Sequence, residues 1–287
     1  MERELEMFSS IRSRKIINRL FEVLASGACI IALVPLFSIL YETISQGYVV
    51  LNRDFFTQIT PPIGGSGGGI TNAIEGSLVC VGIASVIGIP IGLLAGAYFS
   101  EYPGRISNNL RLIAEVLTGV PSIVTGIVIY VVLVATLHRF SAISGGIALS
   151  FMMIPIVAIN THESLKLVPS SIKEGGLALG LSRSKTLVYI LVSTAKSGII
   201  TGIALSVARI MGETAPLIFT ALGNQFMMNS IFDPAETMTV LIYDYGTSPY
   251  PSAHAFAWGA ALVLLLIVLG LNIVVRISSR LKPVAPI

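Results

Sequence analysis

Charged side chains are scarce in this sequence. Only 11% of its 287 residues are Asp, Glu, Lys or Arg, whereas 54% are hydrophobic. A soluble domain usually carries about a quarter charged residues, so a water-soluble fold of this length would lack the polar surface needed to cover itself. The composition therefore predicts a membrane protein. The formal net charge of +3 is too small to suggest nucleic acid as a partner.

Residues that build metal sites or nucleophilic centres are also few. Cys29 and Cys80 lie in apolar stretches without a Cys or His at a metal-ligand spacing, and we interpret both as buried hydrophobes. A membrane-embedded phosphatase or phosphotransferase would need a cluster of His, Asp or metal ligands near a membrane face, and no such cluster is visible. The Gly-rich stretch 61–69 lacks the Lys-Ser/Thr of an ATP-binding P-loop. We therefore predict no cofactor and no ATPase site in this chain.

Six apolar stretches are long enough to cross a bilayer. A spanning helix needs about 20 apolar residues, and the stretches lack the period-2 alternation of barrel strands. They cover residues 23–41, 76–100, 116–137, 140–161, 198–222 and 255–275. The predicted fold class is an all-α polytopic membrane protein with about six transmembrane helices. Pro90, Pro121 and Pro155 fall within or near the ends of these stretches and predict kinks or breaks.

The basic residues are distributed unequally among the connections. Fifteen of the 18 Lys and Arg residues lie in the amino-terminal segment, the second and fourth connections and the carboxyl-terminal tail. Only Arg53 and Arg139 lie in the other connections, and Arg209 lies within a span. Because Lys- and Arg-rich loops stay in the cytoplasm, this pattern predicts a multi-pass protein of the plasma membrane, surrounded by the lipid bilayer, with both termini cytoplasmic.

This distribution also predicts the domain organisation. The first apolar stretch exceeds the usual core of a signal peptide and no small-residue cleavage site follows it, so we expect a retained helix. The predicted segments are a cytoplasmic leader 1–22, a first helix 23–45, an external loop 46–73, a core domain 74–276 with five helices, and a cytoplasmic tail 277–287.

Two charged residues interrupt the fifth apolar stretch. Arg209 lies near its middle, and Glu213 follows four residues later, so both side chains would point the same way on a continuous helix. Each central charge costs about 2.5–3.5 kcal/mol on insertion. The charged face should therefore meet protein or a wet cavity. An ion pair that only neutralises itself is the structural alternative, but intramembrane ionisable residues more often mark a substrate path.

The fourth connection, 162–197, is too long for a turn and contains a spaced motif. Gly180 follows Glu174 by six positions, and Ile190 follows ten positions later. This spacing resembles the cytoplasmic signature of ABC importer permeases, which begins with Glu-Ala-Ala and forms a short coupling helix that docks on the ATPase. Loops of this length with an internal helix are usually functional.

The motif departs from that signature at several positions. Gly175 and Gly176 replace the two alanines, and Val192-Ser193 stands where Leu-Pro is expected. Each glycine weakens a helix by about 1 kcal/mol relative to Ala, so we expect the segment to become ordered only on docking. The resemblance assigns coupling to Glu174, Gly175, Gly176, Ala178, Gly180 and Arg183.

Three further stretches resemble the phosphate-specific permeases, the PstA and PstC subunits. They lie at 67–78, 117–124 and 208–217, and the similarity runs from about 71 to 276. The resemblance implies a type I importer permease fold and a permease subunit of an ATP-driven phosphate importer. The implied partners are a PstC-like second permease, a PstB-like ATPase dimer that binds ATP and Mg, and an external PstS-like phosphate-binding protein. A permease for phosphonate, molybdate or sulfate remains open, as does an ion-coupled transporter.

Arginine suits an oxyanion because its planar fork makes paired charge-assisted hydrogen bonds. We hypothesise that Arg209 exchanges between Glu213 and the passing phosphate, which would keep the site shallow. Ser206, Thr214 and Gly212 would assist.

Overall fold

The computed structural model describes residues 2–65 and 67–280, with side chains described from 14 to 277 except residue 66. Within these residues the chain is helical apart from its connections and one isolated bridge between Leu222 and Ala235. The predicted tail, 277–287, falls largely outside the described residues. The sides of the membrane assigned to the leader and tail stay predictions.

Thirteen α-helices and one short 3₁₀ helix, Tyr48–Val50, occupy the described residues. The α-helices are α1 Glu2–Gly47, α2 Arg53–Thr57, α3 Thr71–Glu101, α4 Arg105–Thr118, α5 Ser122–Ile129, α6 Ala135–Leu137, α7 Ala142–Lys166, α8 Ser170–Ala178, α9 Arg183–Lys185, α10 Val192–Met211, α11 Ala215–Thr220, α12 Met238–Gly246 and α13 Pro251–Arg280. Two π-helical turns, Tyr130–Val134 and Thr186–Leu191, join α5 to α6 and α9 to α10.

The number of membrane spans agrees with the prediction. Five described segments are long and apolar enough to cross a bilayer, and a sixth exists if the bent pair of α4 with α5–α6 counts as one span. The five are Arg14–Val50, Thr71–Glu101, Ala142–Lys166, Arg183–Met211 and Pro251–Ile277. The chain is therefore an all-α multi-pass membrane protein, and the predicted fold class is confirmed.

The third span differs from its predicted form. It begins at Arg105 rather than near residue 116, and its two halves, Arg105–Thr118 and Ser122–Leu137, meet at an angle of 102°. The break coincides with Pro121, which lacks a backbone N–H and disfavours a helical conformation in the preceding residue. The break predicted from this proline is confirmed, whereas Pro90 and Pro155 lie inside continuous helices.

Helices α3 and α7 run parallel and pack closely. A Cβ added at Gly88 or Gly92 would lie 2.9 Å or less from side-chain atoms of Met153 or Val157, both of which are fully buried. A Cβ at Gly96 would likewise meet the backbone of α7. Small residues at this spacing let membrane helices approach to backbone contact. The two helices therefore form a tightly packed pair.

Helix α10 runs antiparallel to α7. Gly202 lies against Asn160, and Gly198 lies against Ser164. This register places the last turn of α10 beside the middle of α7, and Ile210 shares a buried cluster with Met153 there. The carboxyl-terminal end of α10 is therefore near the middle of the membrane.

The segment between α11 and α12 is hydrogen-bonded to the amino-terminal end of α3, and so is the connection that precedes α3. The Asn72 side chain accepts a hydrogen bond from the Thr60 hydroxyl at 2.7 Å and donates one to the Asn224 carbonyl at 2.8 Å. The Ser77 hydroxyl accepts from the backbone N–H of Met238 at 2.8 Å. These bonds hold the segment between α11 and α12 over this end of the helix bundle.

Candidate substrate path and coupling surface

The helix of the fifth span ends 11 residues before the predicted end of this apolar stretch at residue 222. Helix α10 stops at Met211, Gly212 is its C-cap, and Pro216 lies in the first turn of α11. A proline at 216 in a continuous helix would clash with the carbonyl of residue 212, whereas the first turn of a new helix accepts it. The prediction that Arg209 and Glu213 share one helix is therefore wrong.

Arg209 lies on an exposed stripe of α10. Ser197, Thr201, Leu205 and Arg209 recur every four residues and are all exposed, while other faces of the helix pack against α7 and α13. Within the part of the chain that the structure describes, no ion pair joins Arg209 to Glu213. The predicted pair is thus absent, because the helix end takes Glu213 out of the four-residue register. The guanidinium faces a space that the described residues do not fill.

The break after α10 is held by backbone contacts. The Glu213 carbonyl accepts a hydrogen bond from the Thr239 hydroxyl at 2.9 Å, and the Glu213 N–H donates to the Ile210 carbonyl at 3.2 Å. The carbonyl of half-buried Thr214 accepts from the N–H of Leu217 at 3.0 Å. The loop that carries Glu213 is thus tied to α12.

Ser206 does not join Arg209. Its side chain is fully buried, and its hydroxyl donates to the Gly202 carbonyl at 2.8 Å, one turn earlier in α10. Gly212, in contrast, is exposed and follows Arg209 by three residues. Of the three residues predicted to assist the anion, the structure therefore leaves Thr214 and Gly212 at the break, next to Glu213, and turns Ser206 inward.

The predicted connection 162–197 is mostly helical. Helix α7 continues to Lys166, and the helical run leading into α10 begins at Arg183. Between them lies α8, whose end is a Schellman motif: the Leu181 N–H donates to the Gly176 carbonyl, and the Gly180 N–H donates to the Leu177 carbonyl. Gly180 has a φ of +81°, which explains why glycine stands there.

The two glycines of the motif have different surroundings. A Cβ added at Gly176 would lie 2.7 Å from Cδ1 of Ile190 and 2.9 Å from Cγ2 of Thr186, both on the π-helical turn. A Cβ added at Gly175 would meet nothing within 4 Å. The expectation that this segment is ordered only on docking is wrong, because α8 is already packed on the π-helical turn in the single chain.

The other predicted coupling residues form an exposed surface. Glu174, Gly175, Ala178, Gly180 and Arg183 are all exposed. Sequence reasoning missed two leucines on the same connection, Leu167 and Leu179, which are 84% and 83% exposed. Their only signal was an apolar side chain in a basic connection. A partner that covers this connection would remove both side chains from water.

An ion pair joins α8 to the end of α3. The Lys173 ammonium lies 3.1 Å from Oε1 of Glu101, whose side chain is 2% exposed. A buried carboxylate needs such a partner because an isolated buried charge is strongly unfavourable. Sequence reasoning missed Glu101, whose signal was an acid directly after a long apolar stretch.

A second buried carboxylate lies at the opposite end of α3. Glu236 is 6% exposed, and its Oε1 accepts a hydrogen bond from the Thr237 N–H at 3.2 Å. Burial, and then the nearby charge of Asp244, raise the pKa of Glu236 to about 7, against opposing backbone hydrogen bonds. The backbone of Glu236 also covers Gly76 of α3. Sequence reasoning had no signal for this acid.

A metal centre would require several His, Cys, Asp or Glu side chains in one place. The residues that the structure describes include no group of three or more His, Cys, Asp or Glu side chains able to hold a metal ion. Among the described residues, the candidate site therefore consists of the unpaired guanidinium of Arg209 near mid-membrane and the exposed helix α8 at one end of the bundle.

Comparisons with known proteins cover nearly the whole chain. The family model of binding-protein-dependent transport system inner membrane components matches residues 88–282. The phosphate transport system permease protein PstA of Haemophilus influenzae is 41% identical over 271 residues, which is 94% of this chain and 96% of that protein. The probable PstA of Methanocaldococcus jannaschii is 36% identical over 93% of this chain and 95% of that protein.

Solved structures share the fold at low sequence identity. A chain of a bacterial alginate ABC transporter superposes with a TM-score of 0.66 at 12% identity, covering 91% of this chain and 94% of that chain. A chain of the inward-facing MetNI methionine ABC transporter gives a TM-score of 0.56 at 17% identity, covering 73% of this chain and 92% of that chain. At such identities the likeness concerns the arrangement of helices.

Proposed function

Since this chain belongs to the family of binding-protein-dependent transport system inner membrane components and, within it, to the PstA permeases of phosphate transport systems, we propose that it forms half of the membrane path of an ATP-driven phosphate importer. The family prediction is confirmed. The second half would be a homologous PstC-like permease, because six helices enclose little space and the Arg209 stripe of α10 faces outward from this chain.

The observation that carries this proposal is the exposure of Arg209 near mid-membrane. A guanidinium without an ion-pair partner in the described chain is free to make paired hydrogen bonds to an oxyanion. A permanently bare arginine would hold the anion too strongly. We infer that Glu213, two residues beyond the helix end, competes for the guanidinium as the two permeases rearrange, with Thr214 and Gly212 beside it.

Coupling to ATP hydrolysis would occur through α8. The exposed residues Glu174, Gly175, Ala178, Gly180 and Arg183 would dock on a PstB-like cytoplasmic ATPase, which binds the ATP and Mg in place of this chain. Nucleotide-driven closure of the two ATPases would move α8 and switch the path between its two access states. An external PstS-like phosphate-binding protein would deliver the substrate, and both termini would be cytoplasmic.

The test is Arg209→Gln in the assembled transporter. We expect phosphate uptake to be lost while the variant still copurifies with the second permease and the ATPase. Arg53→Gln is the matched control, since Arg53 is an exposed arginine in the first external connection. Uptake by the Arg209 variant at the rate of this control would remove Arg209 from the mechanism.

The chemical identity of the substrate is tested separately. We expect excess sulfate, molybdate or phosphonate to leave uptake of labelled phosphate unchanged, because the binding protein would supply most of the selectivity. Strong inhibition by one of these anions would instead assign that anion as the substrate class, with the same fold and coupling.

A further inference from the structure

A polar cavity lies where α3, α4, α7 and α8 meet, at the end of the bundle that carries the coupling helix. It has a volume of about 450 Å³. Arg111, Lys166 and Lys173 line it together with His162, which is 8% exposed. His162 Nδ1 is buried without a hydrogen-bond partner in the described residues, and Arg111 Nη1 lies 3.4 Å from His162 Nε2. Of the ionisable side chains in the lining, four are basic and one is acidic.

The charges in this cavity favour an anion. Its one lining carboxylate, Glu101, is already paired with Lys173 at 3.1 Å. Outside the lining, Glu115 lies 3.4 Å from Arg111 Nε and Glu163 lies 3.9 Å from His162 Nε2, and both acids are substantially exposed. Within the described residues, Lys166 has no ion-pair partner. No carboxylate in the lining is free to bind the amine of a zwitterionic headgroup.

An apolar groove adjoins the cavity. It has a volume of about 340 Å³, runs between α3, α4 and α7, and shares Phe99 with the polar cavity. Ala95, Ile113 and Leu117 form part of its wall, and Phe151 lies at its far end. Phe151 and Leu117 are both more than 45% exposed in the single chain. The groove is therefore accessible from the lipid phase.

The polar cavity and the apolar groove adjoin each other as the headgroup and an acyl chain of a phospholipid do. Along α7, the distance from Lys166 beside the cavity to Phe151 at the end of the groove is roughly 22 Å, at a rise of about 1.5 Å per residue. One leaflet has about 15 Å of hydrocarbon beneath its headgroups. We propose that this site binds an anionic phospholipid, with its phosphate against Arg111 and Lys166 and one acyl chain along the groove. Basic pockets between transmembrane helices on the cytoplasmic side are suited to such headgroups.

This site differs from the proposed phosphate path in both place and chemistry. Arg209 lies on the exposed stripe of α10, whereas Arg111 lies on α4 within contact of His162 on α7, with Nη1 3.4 Å from Nε2. A lipid in this position would also touch α8 through Lys173. Lipid binding is measured without a transport assay. Failure of the lipid proposal would therefore leave the proposed phosphate path intact, and failure of the phosphate path would leave the lipid proposal intact.

The test is lipid retention by the intact purified transporter, followed by native mass spectrometry. Dioleoyl-phosphatidylglycerol is the probe, dioleoyl-phosphatidylcholine is the neutral comparison, and inorganic phosphate is the competitor. Losing two charge-assisted contacts should weaken phosphatidylglycerol binding about tenfold or more in the Arg111→Gln, Lys166→Gln variant. The control is Lys15→Gln, Arg19→Gln, which removes two exposed charges of α1 elsewhere on the chain.

A second variant tests the acyl-chain groove without touching any charge. Ala95→Leu should fill part of the groove, so it should weaken dioleoyl-phosphatidylglycerol while leaving short-chain dihexanoyl-phosphatidylglycerol bound as in the unmodified protein. Copurification with the partner chains reports whether each variant is assembled. Equal retention of phosphatidylglycerol by the unmodified protein and the Arg111, Lys166 variant overturns the proposal. Displacement of the lipid by millimolar phosphate, with no effect of Ala95→Leu, would overturn it in favour of a headgroup-only anion site.

Discussion

Alanine should stabilise the coupling helix at Gly175 but not at Gly176. Both positions gain about 1 kcal/mol of helix propensity when glycine becomes alanine. At Gly175 nothing opposes this gain, because the added Cβ meets no atom within 4 Å. At Gly176 the added Cβ would lie 2.7 Å from Ile190 and 2.9 Å from Thr186, so one of these side chains or α8 itself must move.

The size of the difference follows from these contacts. Overpacking by one methyl group typically costs about 1–3 kcal/mol. Because the propensity gain is common to both variants, Gly175→Ala and Gly176→Ala should differ in the free energy of opening α8 by about this amount. That difference corresponds to roughly a 5- to 150-fold difference in amide protection.

Amide hydrogen exchange of residues 170–181 in the assembled transporter measures the free energy of opening α8 directly. We expect slower exchange than in the unmodified chain for Gly175→Ala, and faster or unchanged exchange for Gly176→Ala. Uptake should fall in the second variant because α8 no longer sits against its supporting turn. Equal protection in both variants would refute the reasoning, since it would show that Thr186 and Ile190 do not require a glycine.

The two buried acids at the ends of α3 give further expectations. Lys173→Met leaves the Glu101 carboxylate buried without its partner and should lower the free energy of unfolding by about 3–5 kcal/mol. Glu101→Gln should cost less, because Lys173 can then reach water. Thermal unfolding of the complex compares the two variants, and a larger loss for Glu101→Gln would contradict a buried ion pair. The pKa of Glu236 is about 7 in the folded chain against 4.5 as its ordinary value. The unfolded chain therefore loses this proton first, and stability should fall by up to about 3 kcal/mol between pH 4.5 and 7 and be flat above. Glu236→Gln should remove this slope, and an unchanged pH profile of thermal unfolding would show that Glu236 is not its source.

The number of membrane spans was predictable from the sequence because a spanning helix must match the thickness of the bilayer. Hydrocarbon thickness fixes the length of an apolar helix, and the uneven distribution of Lys and Arg can be counted in the sequence. The break near Pro121 was predictable for a local reason, namely the missing backbone N–H. The orientation of the termini still depends on the charge distribution alone.

The surroundings of the glycines could not be predicted from the sequence. Gly175 and Gly176 are adjacent and chemically identical, yet only Gly176 faces Thr186 and Ile190. The ion pair of Glu101 with Lys173 joins residues 72 positions apart. Both facts depend on how α8 folds back on the bundle, which periodicity within one segment does not specify.

The prediction that Arg209 and Glu213 share a helix face was wrong, and the sequence contained the reason. Pro216 lies four residues after Gly212, so a helix through both residues would place the proline ring against the carbonyl of residue 212. The chain instead ends α10 at Met211 and restarts at Ala215. A four-residue spacing implies a shared face only while the helix is continuous.

Because this pair is absent, the insertion cost of Arg209 must be met from outside its own helix. A central arginine costs about 2.5–3.5 kcal/mol on insertion, and within the described chain no carboxylate offsets that cost for Arg209. Water or a second chain must therefore solvate the guanidinium. Water and a second chain can both reach the guanidinium along the exposed stripe of α10, which consists of Ser197, Thr201, Leu205 and Arg209. An arginine already closed into a pair on its own helix would have fewer donors left for an anion, so the break that separates Glu213 from it is what leaves the site able to bind one.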